Sequence, residues 1–377
     1  MKRFKSFDTI RGFCMVIMVV GHLLGWWLRP QEIWLVVAYH AILADIAASG
    51  FLLISGISSM ISFRSSLTKA EISDDYNQRM VKNEYIYRGL LILIVALIYN
   101  SIDAIRNLNP LKIWTWYIPM TIAFSILLAY PLLKVSKRLR ILFAILLWIL
   151  NSLILSLLLP LERQGNIFSV LFYILYNDIE VFPILYYLSY FLIGTVIGEI
   201  IYEIYQNNDQ KARLDALKYK FILPLLIIGG TLTILGVILF FPEYLLHMTI
   251  SSTIYCLGVI LILTSTLLII EEFEVFKTKK SYRFLYYYSY YSLTIYLTHN
   301  ALFFLFVGQL NIFSIWIILT VVMVLLSLLI RYAHNKYGIK VSVKVQLSRL
   351  ARGISNKIEM KHKNKQKMLE HERLIKF

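Results

Sequence analysis

Asp8, Arg11, Met15, Met18 and His22 follow one another at spacings of three, four, three and four residues. On a helix that spacing puts them on one face. Arg11 and His22 are then separated by about 16 Å along the axis, at 1.5 Å per residue. The stretch is apolar enough to lie in a membrane, where an ionisable side chain is costly and marks function. Imidazole is the side chain best suited to move protons near neutral pH. The plainer reading is that Arg11 snorkels to headgroups and His22 makes a helix–helix hydrogen bond.

The next apolar stretch opens with His40 and Asp45. Asp45, Ser49, Leu52, Gly56 and Ser59 form a second stripe at helical spacing. Asp45 is placed either to orient and charge-balance a histidine, as the acid of a triad does, or simply to cap a helix. His40 and Asp45 point about 140° apart on an unbroken helix, so they need not address the same partner. A third face carries Ser292, Tyr296 and His299 at spacings of four and three. A lone histidine there would more often be a packing residue, whereas a serine and a tyrosine in register suggest that the face lines a cavity. These faces leave two chemistries open. One is acyl transfer with histidine as base or acyl carrier; the other is proton-coupled transport with His22, Asp45 and His299 as a relay. A membrane scaffold is a third class.

The elements that position these faces must be membrane spans. The chain has 377 residues, 59% hydrophobic and 16% charged, where soluble domains carry about 25% charged residues. Its apolar runs are about 20 residues long, enough to cross a hydrocarbon core about 30 Å thick. The expected fold is all-α: a polytopic integral membrane protein with about ten transmembrane helices. The spans fall at 10–28, 42–63, 86–103, 114–133, 141–160, 181–203, 221–241, 249–270, 284–307 and 312–331. The first run keeps glycines and a histidine and lacks a small-residue cleavage site, so it reads as a mature span rather than a leader.

Charge sets the orientation. Segments 64–85, 134–140, 204–220 and 271–283 carry four Lys/Arg each. The opposite loops together carry only Arg29, Arg106, Lys112 and Arg163. By the positive-inside rule the basic segments and both termini are cytoplasmic. Residues 1–331 are thus expected to form the transmembrane domain. Residues 332–377, with 12 Lys/Arg and three acids, form a basic cytoplasmic tail lying near anionic headgroups. Nothing in that tail suggests a nucleic-acid partner, despite a net charge of +16. Cys14 and Cys256 both fall inside apolar runs, which argues against a disulfide framework, and no metal-type spacing exists. Many of the 26 tyrosines sit near span ends, as an interfacial belt does. Gly194 and Gly198 are spaced for close helix contact, and no long internal repeat favours a transporter.

At these residues the sequence resembles the heparan-α-glucosaminide N-acetyltransferase-like family of transmembrane acyltransferases, prokaryotic members included. The opening RFKSFDTIRGFCMVIMVVGH resembles its first span: Asp8, Arg11, Gly12, then a polar residue eleven positions after the arginine. ADIAASGFLLISGISSM resembles its second span, matching Asp45 and Gly56. YIYRGLLILIVALIYN, with Arg88 and Asn100, resembles the third, and WYIPMTIAFSILLAYPL and FPILYYLSYFLIGTVIG resemble later ones. YYSLTIYLTHN is similar to a near-terminal element that carries over onto Ser292, Tyr296 and His299.

The resemblance covers most of residues 3–305. It implies an enzyme that takes an acetyl group from cytosolic acetyl-CoA, with no metal, to an amino sugar or other glycan on the far side of the bilayer. It implies a catalytic histidine between the first two spans, assisted by an asparagine at the end of the first, where His22 stands here. The family histidine falls on Leu35 in this sequence, and His40 is five residues before Asp45. The role is therefore left to His40 as a displaced counterpart or to His22, with Asp45 beside them. Arg11 and Arg88 are the expected partners of the acyl-CoA phosphates, and Ser292, Tyr296 and His299 complete the donor site. The acyl chain, the acceptor and a homodimer remain open. In a prokaryote the membrane would be the plasma membrane.

Overall fold

A computed structural model describes residues 3–73, 75–162, 164–177, 181–275 and 283–375. Arg163 and residues 276–282 of the expected basic connection lie outside them. Among the described residues no β-strand forms, apart from an isolated bridge between Leu28 and Leu310. The first span is α1 (Lys5–Trp27). The second is a continuous helical run, Pro30–Ile72, of 43 residues. In it α2 (Ile33–Tyr39) passes through a π-helical turn at His40–Ala44 into α3 (Asp45–Ile72). There follow α4 (Gln78–Arg106), the shorter α5 (Ile118–Leu132), α6 (Lys137–Leu158), a short α7 (Ile167–Leu175) and α8 (Ile184–Ile204). A short α9 (Gln210–Asp215) leads through a second π-helical stretch into α10 (Leu223–Leu239), and α11 (Ile250–Glu272) returns. The ninth span is broken into α12 (Arg283–Tyr290), α13 (Ser292–Thr298) and a 3₁₀ segment, His299–Leu305. The tenth is α14 (Ile312–Tyr337), followed by α15 (Val343–Ile375).

Eight of these helical runs are long and apolar enough to span a bilayer, and the shorter apolar helices Ile118–Leu132 and Ser292–Leu305 correspond to the remaining two expected spans. The chain is an all-α polytopic membrane protein. Burial separates its centre from its rim. Of the apolar window of α8, 83% is buried, against 17% for the α6, α10 and α14 spans. On α6, Leu142, Ile145, Ile149, Leu153 and Leu157 are all exposed and recur every three or four residues. In water such a stripe would drive association, whereas acyl chains solvate it.

Close backbone approach holds the centre together. A Cβ at Gly56 of α3 would stand 2.1 Å from the carbonyl oxygen of Phe191 on α8, and one at Gly194 would stand 2.1 Å from that of Leu53. Gly194 and Gly198 thus act as the spacing suggested, letting two helices touch where no side chain fits. At the basic end of α8, Glu199 receives the guanidinium groups of Arg64 from α3 and Arg140 from α6. Arg140 is only 1% exposed, so this carboxylate is what makes its burial tolerable.

The segment after Arg331 differs from the expected solvated tail. α14 continues to Tyr337, and the chain turns at Gly338, whose φ of 54° favours glycine. α15 then lies against α4 with Leu347 and Ala351 buried. Ser355 donates to the Met80 carbonyl at 3.1 Å, Asn77 donates to Glu359 at 2.8 Å, and Arg352 pairs with Glu84 at 3.2 Å. Spacing of apolar residues in an otherwise basic helix explains this docking: one face is apolar even though the composition is not.

Candidate active site

α1 is unbroken, so its expected stripe is a real face. Asp8 and Met15 are buried, Arg11 and Met18 half-buried, and His22 is exposed although it lies well within the helix. The His22 ring lies 5.0 Å from that of His299 and 5.2 Å from that of Trp26. His40 lies within electrostatic reach of His22. Its Nε2 is 3.4 Å from the position a Cβ would take on Gly21. Three imidazoles from three separate stretches of chain therefore meet near the non-basic end of the first span. Two of them, His22 and His40, are exposed there.

The third is buried and oriented. Nδ1 of His299 lies 2.6 Å from the carbonyl oxygen of Tyr296. A carbonyl cannot donate, so Nδ1 carries the proton and Nε2 holds the lone pair. Nε2 has no hydrogen-bond partner among the described residues, although it is buried. An unpaired buried nitrogen is costly in a mere packing residue and is what a general base needs. The local backbone accounts for the orientation. α13 ends at Thr298 and the helix tightens to 3₁₀ geometry at His299, which re-aims the side chains that follow.

The 3₁₀ segment is fastened to the end of α1. The Trp27 indole donates to the Leu302 carbonyl at 3.0 Å. The Leu310 amide donates to the Trp27 carbonyl at 2.8 Å, and the Arg29 amide to the Leu310 carbonyl at 3.0 Å. From α4, Tyr99 accepts a bond from Asn300 at 2.8 Å and packs 5.5 Å from the Tyr296 ring. Tyr296 is buried with its ring 5.5 Å from that of His299, and Ser292 is buried one turn nearer the basic end. Asn100, which carries part of the resemblance, braces the loop after α4 by donating to the carbonyls of Ile113 and Thr115.

Asp45 does hold a histidine, but neither of those named from the sequence. Its Oδ1 is 2.6 Å from Nδ1 of His247, and its Oδ2 accepts from Ser252 at 3.3 Å. Nε2 of His247 lies 3.2 Å from the Val181 carbonyl. Both ring nitrogens thus face oxygens, and the ring cross-links three segments. The hydrogen bonds of Asp45 thus go to His247 and Ser252, on the connection before α11 and on α11 itself. His247 sits in the connection between α10 and α11. A search for polar groups inside spans passes over it; a histidine five residues before Ser252 at a span mouth was the available signal.

At the basic end, Arg11 and Arg88 meet on neighbouring residues of α3. Arg11 donates to Ser58 at 2.5 Å and to the Ile54 carbonyl at 3.4 Å, and Arg88 donates to Ser59 at 3.2 Å. Asp8 lies 3.7 Å from Arg11 and 2.7 Å from Arg3, so it is shared between two guanidinium groups. The residues proposed from sequence therefore fall into three places. His22, His40, His299 and Tyr296 cluster together with Ser292 one turn nearer the basic end, Arg11 stands about 16 Å away down α1 with Arg88 of α4 beside it, and Asp45 belongs to a separate pair.

Comparison with known proteins adds a family. Residues 3–249 match the family described as heparan-alpha-glucosaminide N-acetyltransferase, catalytic. The match contains Arg11, His22, His40, Asp45, Arg88 and His247, and it ends before the broken ninth span that carries His299. No curated protein matches the chain.

Proposed function

The chain belongs to the heparan-alpha-glucosaminide N-acetyltransferase family, and from that premise we propose that it moves an acetyl group from cytosolic acetyl-CoA to a sugar on the opposite side of the membrane. It is a multi-pass protein of a transmembrane acetyltransferase family; donor, acceptor and residue roles are our reading. The basic end is the cytoplasmic one. There the donor phosphates pair with Arg11 and Arg88. The pantetheine arm runs along the α1 face, which rises about 16 Å from Arg11 to His22, and brings the thioester to the histidine cluster. The acceptor enters from the other side, past the exposed His22 and His40.

His299 is the base. Its Nε2 takes the proton of the acceptor amine or hydroxyl as that atom attacks the thioester carbon. The C–S bond breaks as the new C–N or C–O bond forms, and the proton passes to the CoA thiolate. The tautomer locked by the Tyr296 carbonyl leaves the Nε2 lone pair free to take that proton and restores it once the proton has passed to the thiolate. Asp45 and His247 hold the mouth of the second span in register and do not touch the reacting atoms.

The observation that carries this reading is the buried, unpaired Nε2 of His299 beside His22. The experiment is acceptor-dependent CoA release by the purified protein in proteoliposomes, with acetyl-CoA and glucosamine. His299→Gln should lower kcat at least a hundredfold, the usual worth of a general base, with the acetyl-CoA KM close to wild type. Full activity in His299→Gln would remove the assignment of the base. Absence of both CoA release and acetyl-CoA binding in folded wild-type protein would remove the acetyl-CoA mechanism.

A further inference from the structure

Next to Arg11 and Arg88 the structure brings a cation from a distant part of the chain. Lys344, near the start of α15, donates to the Ser289 carbonyl of α12 at 2.9 Å. The Ser289 hydroxyl donates to Asp8 at 2.9 Å and receives Arg11 at 3.5 Å. The charged groups facing Lys344 are Arg3, Asp8, Arg11 and Arg88. Among them the only carboxylate is Asp8, already shared by Arg3 and Arg11. Glu84, one turn before Arg88 on α4, also faces Arg88 but is itself paired with Arg352, so five cations meet two acids. Arg11, Arg88 and Lys344 are all half-buried, and Arg3 is exposed at the rim.

Packing like charges together in a half-buried site is unfavourable unless something balances them. The charge left over matches a polyphosphate, which the exposed Arg3 would meet first. The four cations around Asp8 arrive on different supports: Arg3 ahead of α1, Arg11 on α1, Arg88 on α4 and Lys344 on α15. A bound polyanion would therefore tie together elements that otherwise repel.

We propose that α15 is the closing element of the donor site, with Lys344 as a cation on the phosphates of acyl-CoA, so that donor binding and docking of the C-terminal helix reinforce each other. This rests on the acetyl-CoA reading above for the identity of the polyanion. The coupling is reciprocal: whatever the donor gains from a docked α15, the docked state gains from the donor. The fastening of α15 to α4 through Arg352 and Glu84 borders the cluster at Arg88 and sets how readily the helix lifts.

The test uses the full-length protein and two probes, CoA and inorganic pyrophosphate. Amide exchange is followed over 343–366, together with steady-state kinetics. CoA should slow exchange across this stretch. Lys344→Gln should abolish that slowing and raise the acetyl-CoA KM about tenfold, the worth of a hydrogen bond between charged groups, with kcat within twofold of wild type. Lys344→Arg should restore both. Arg352→Ala should speed basal exchange while CoA still protects. Transfer at wild-type KM by Lys344→Gln, with CoA protection intact, would overturn the role of α15 and leave the acetyltransferase reading standing. Protection by pyrophosphate but not CoA would keep the polyanion site and sink acyl-CoA as its occupant. Protection by neither would overturn the site itself.

Discussion

Gly56→Ala is expected to be among the most damaging single-methyl additions in this protein. The new Cβ would stand 2.1 Å from the Phe191 carbonyl oxygen and 2.9 Å from its carbon. Ordinary contact begins near 3.4 Å, so α3 and α8 must separate by about 1.3 Å. The obstacle is backbone, so no rotamer change relieves it. Overpacking of this kind costs about 1–3 kcal/mol, and both helices carry more than packing. α3 holds Asp45 at one end and Ser58 and Ser59, the seats of Arg11 and Arg88, further down. α8 holds Glu199 beneath Arg64 and Arg140. A shift of this size should therefore lower thermal stability in detergent and weaken donor binding together. Gly230→Ala is the internal control: nothing lies within 4 Å of the added carbon. There the helix gains about 1 kcal/mol of propensity, so stability should hold or rise. Equal melting temperatures for Gly56→Ala and Gly230→Ala would refute the claim that α3 and α8 cross by backbone contact.

Glu199→Gln leaves Arg64 and Arg140 facing a neutral amide, and stranding a buried cation costs about 3–5 kcal/mol. Thermal unfolding should show a large loss of stability, whereas Lys137→Gln, which frees only the exposed Glu203, should be nearly silent. The pH dependence of donor binding should follow Lys344, whose ammonium is pushed down to about 7 from 10.5 by burial and by Arg11. Below pH 7 the helix docks with a buried charge. As pH rises from 7 toward 10.5 the docked form sheds its proton while the free form keeps it, so α15 docks more firmly without ligand. Phosphates prefer the charged form, so the acetyl-CoA dissociation constant should rise over pH 7–9 in wild type and stay flat in Lys344→Arg. His334, bonded to Tyr291, and Glu84, bonded to Arg352, are common to both proteins and cancel in the comparison.

Much of this architecture could be read from apolar run lengths and the distribution of Lys and Arg, because a bilayer imposes both. The first-span face was equally legible, since α1 is regular and period 3.6 needs only a straight helix. What stayed hidden arose where the helix departs from that period or where partners are remote in sequence. His40 and Asp45 point apart on an ideal helix, and the π-helical turn between them is invisible to spacing. His299 looked like one member of a polar stripe, because neither the break at Tyr291 nor the 3₁₀ turn leaves a composition signal. The partner of Asp45 came from a loop 202 residues away. The basic tail misled because its count of Lys and Arg hides one apolar face, with Leu347 and Ala351 on it.

The two stations of the proposed reaction are spaced by two spans at once. On α1, Arg11 and His22 are eleven residues apart, about 16 Å. On the ninth span, Ser289 and His299 are ten apart, about 15 Å if helical throughout. Both run in the same direction from the basic end. The two spans are locked side by side there, because a Cβ on Gly12 would stand 2.1 Å from the Leu285 carbonyl. A donor arm lying between them is therefore measured against two rulers joined at the base. The upper end of the second ruler is not rigid: it passes through the break at Tyr291 before reaching His299. Ser289, which carries Lys344 and Arg11, lies just below that break. The donor station is thus pinned below the break, while the base is aimed above it by its own bond to the Tyr296 carbonyl, so a change at Lys344 bears on KM rather than on kcat.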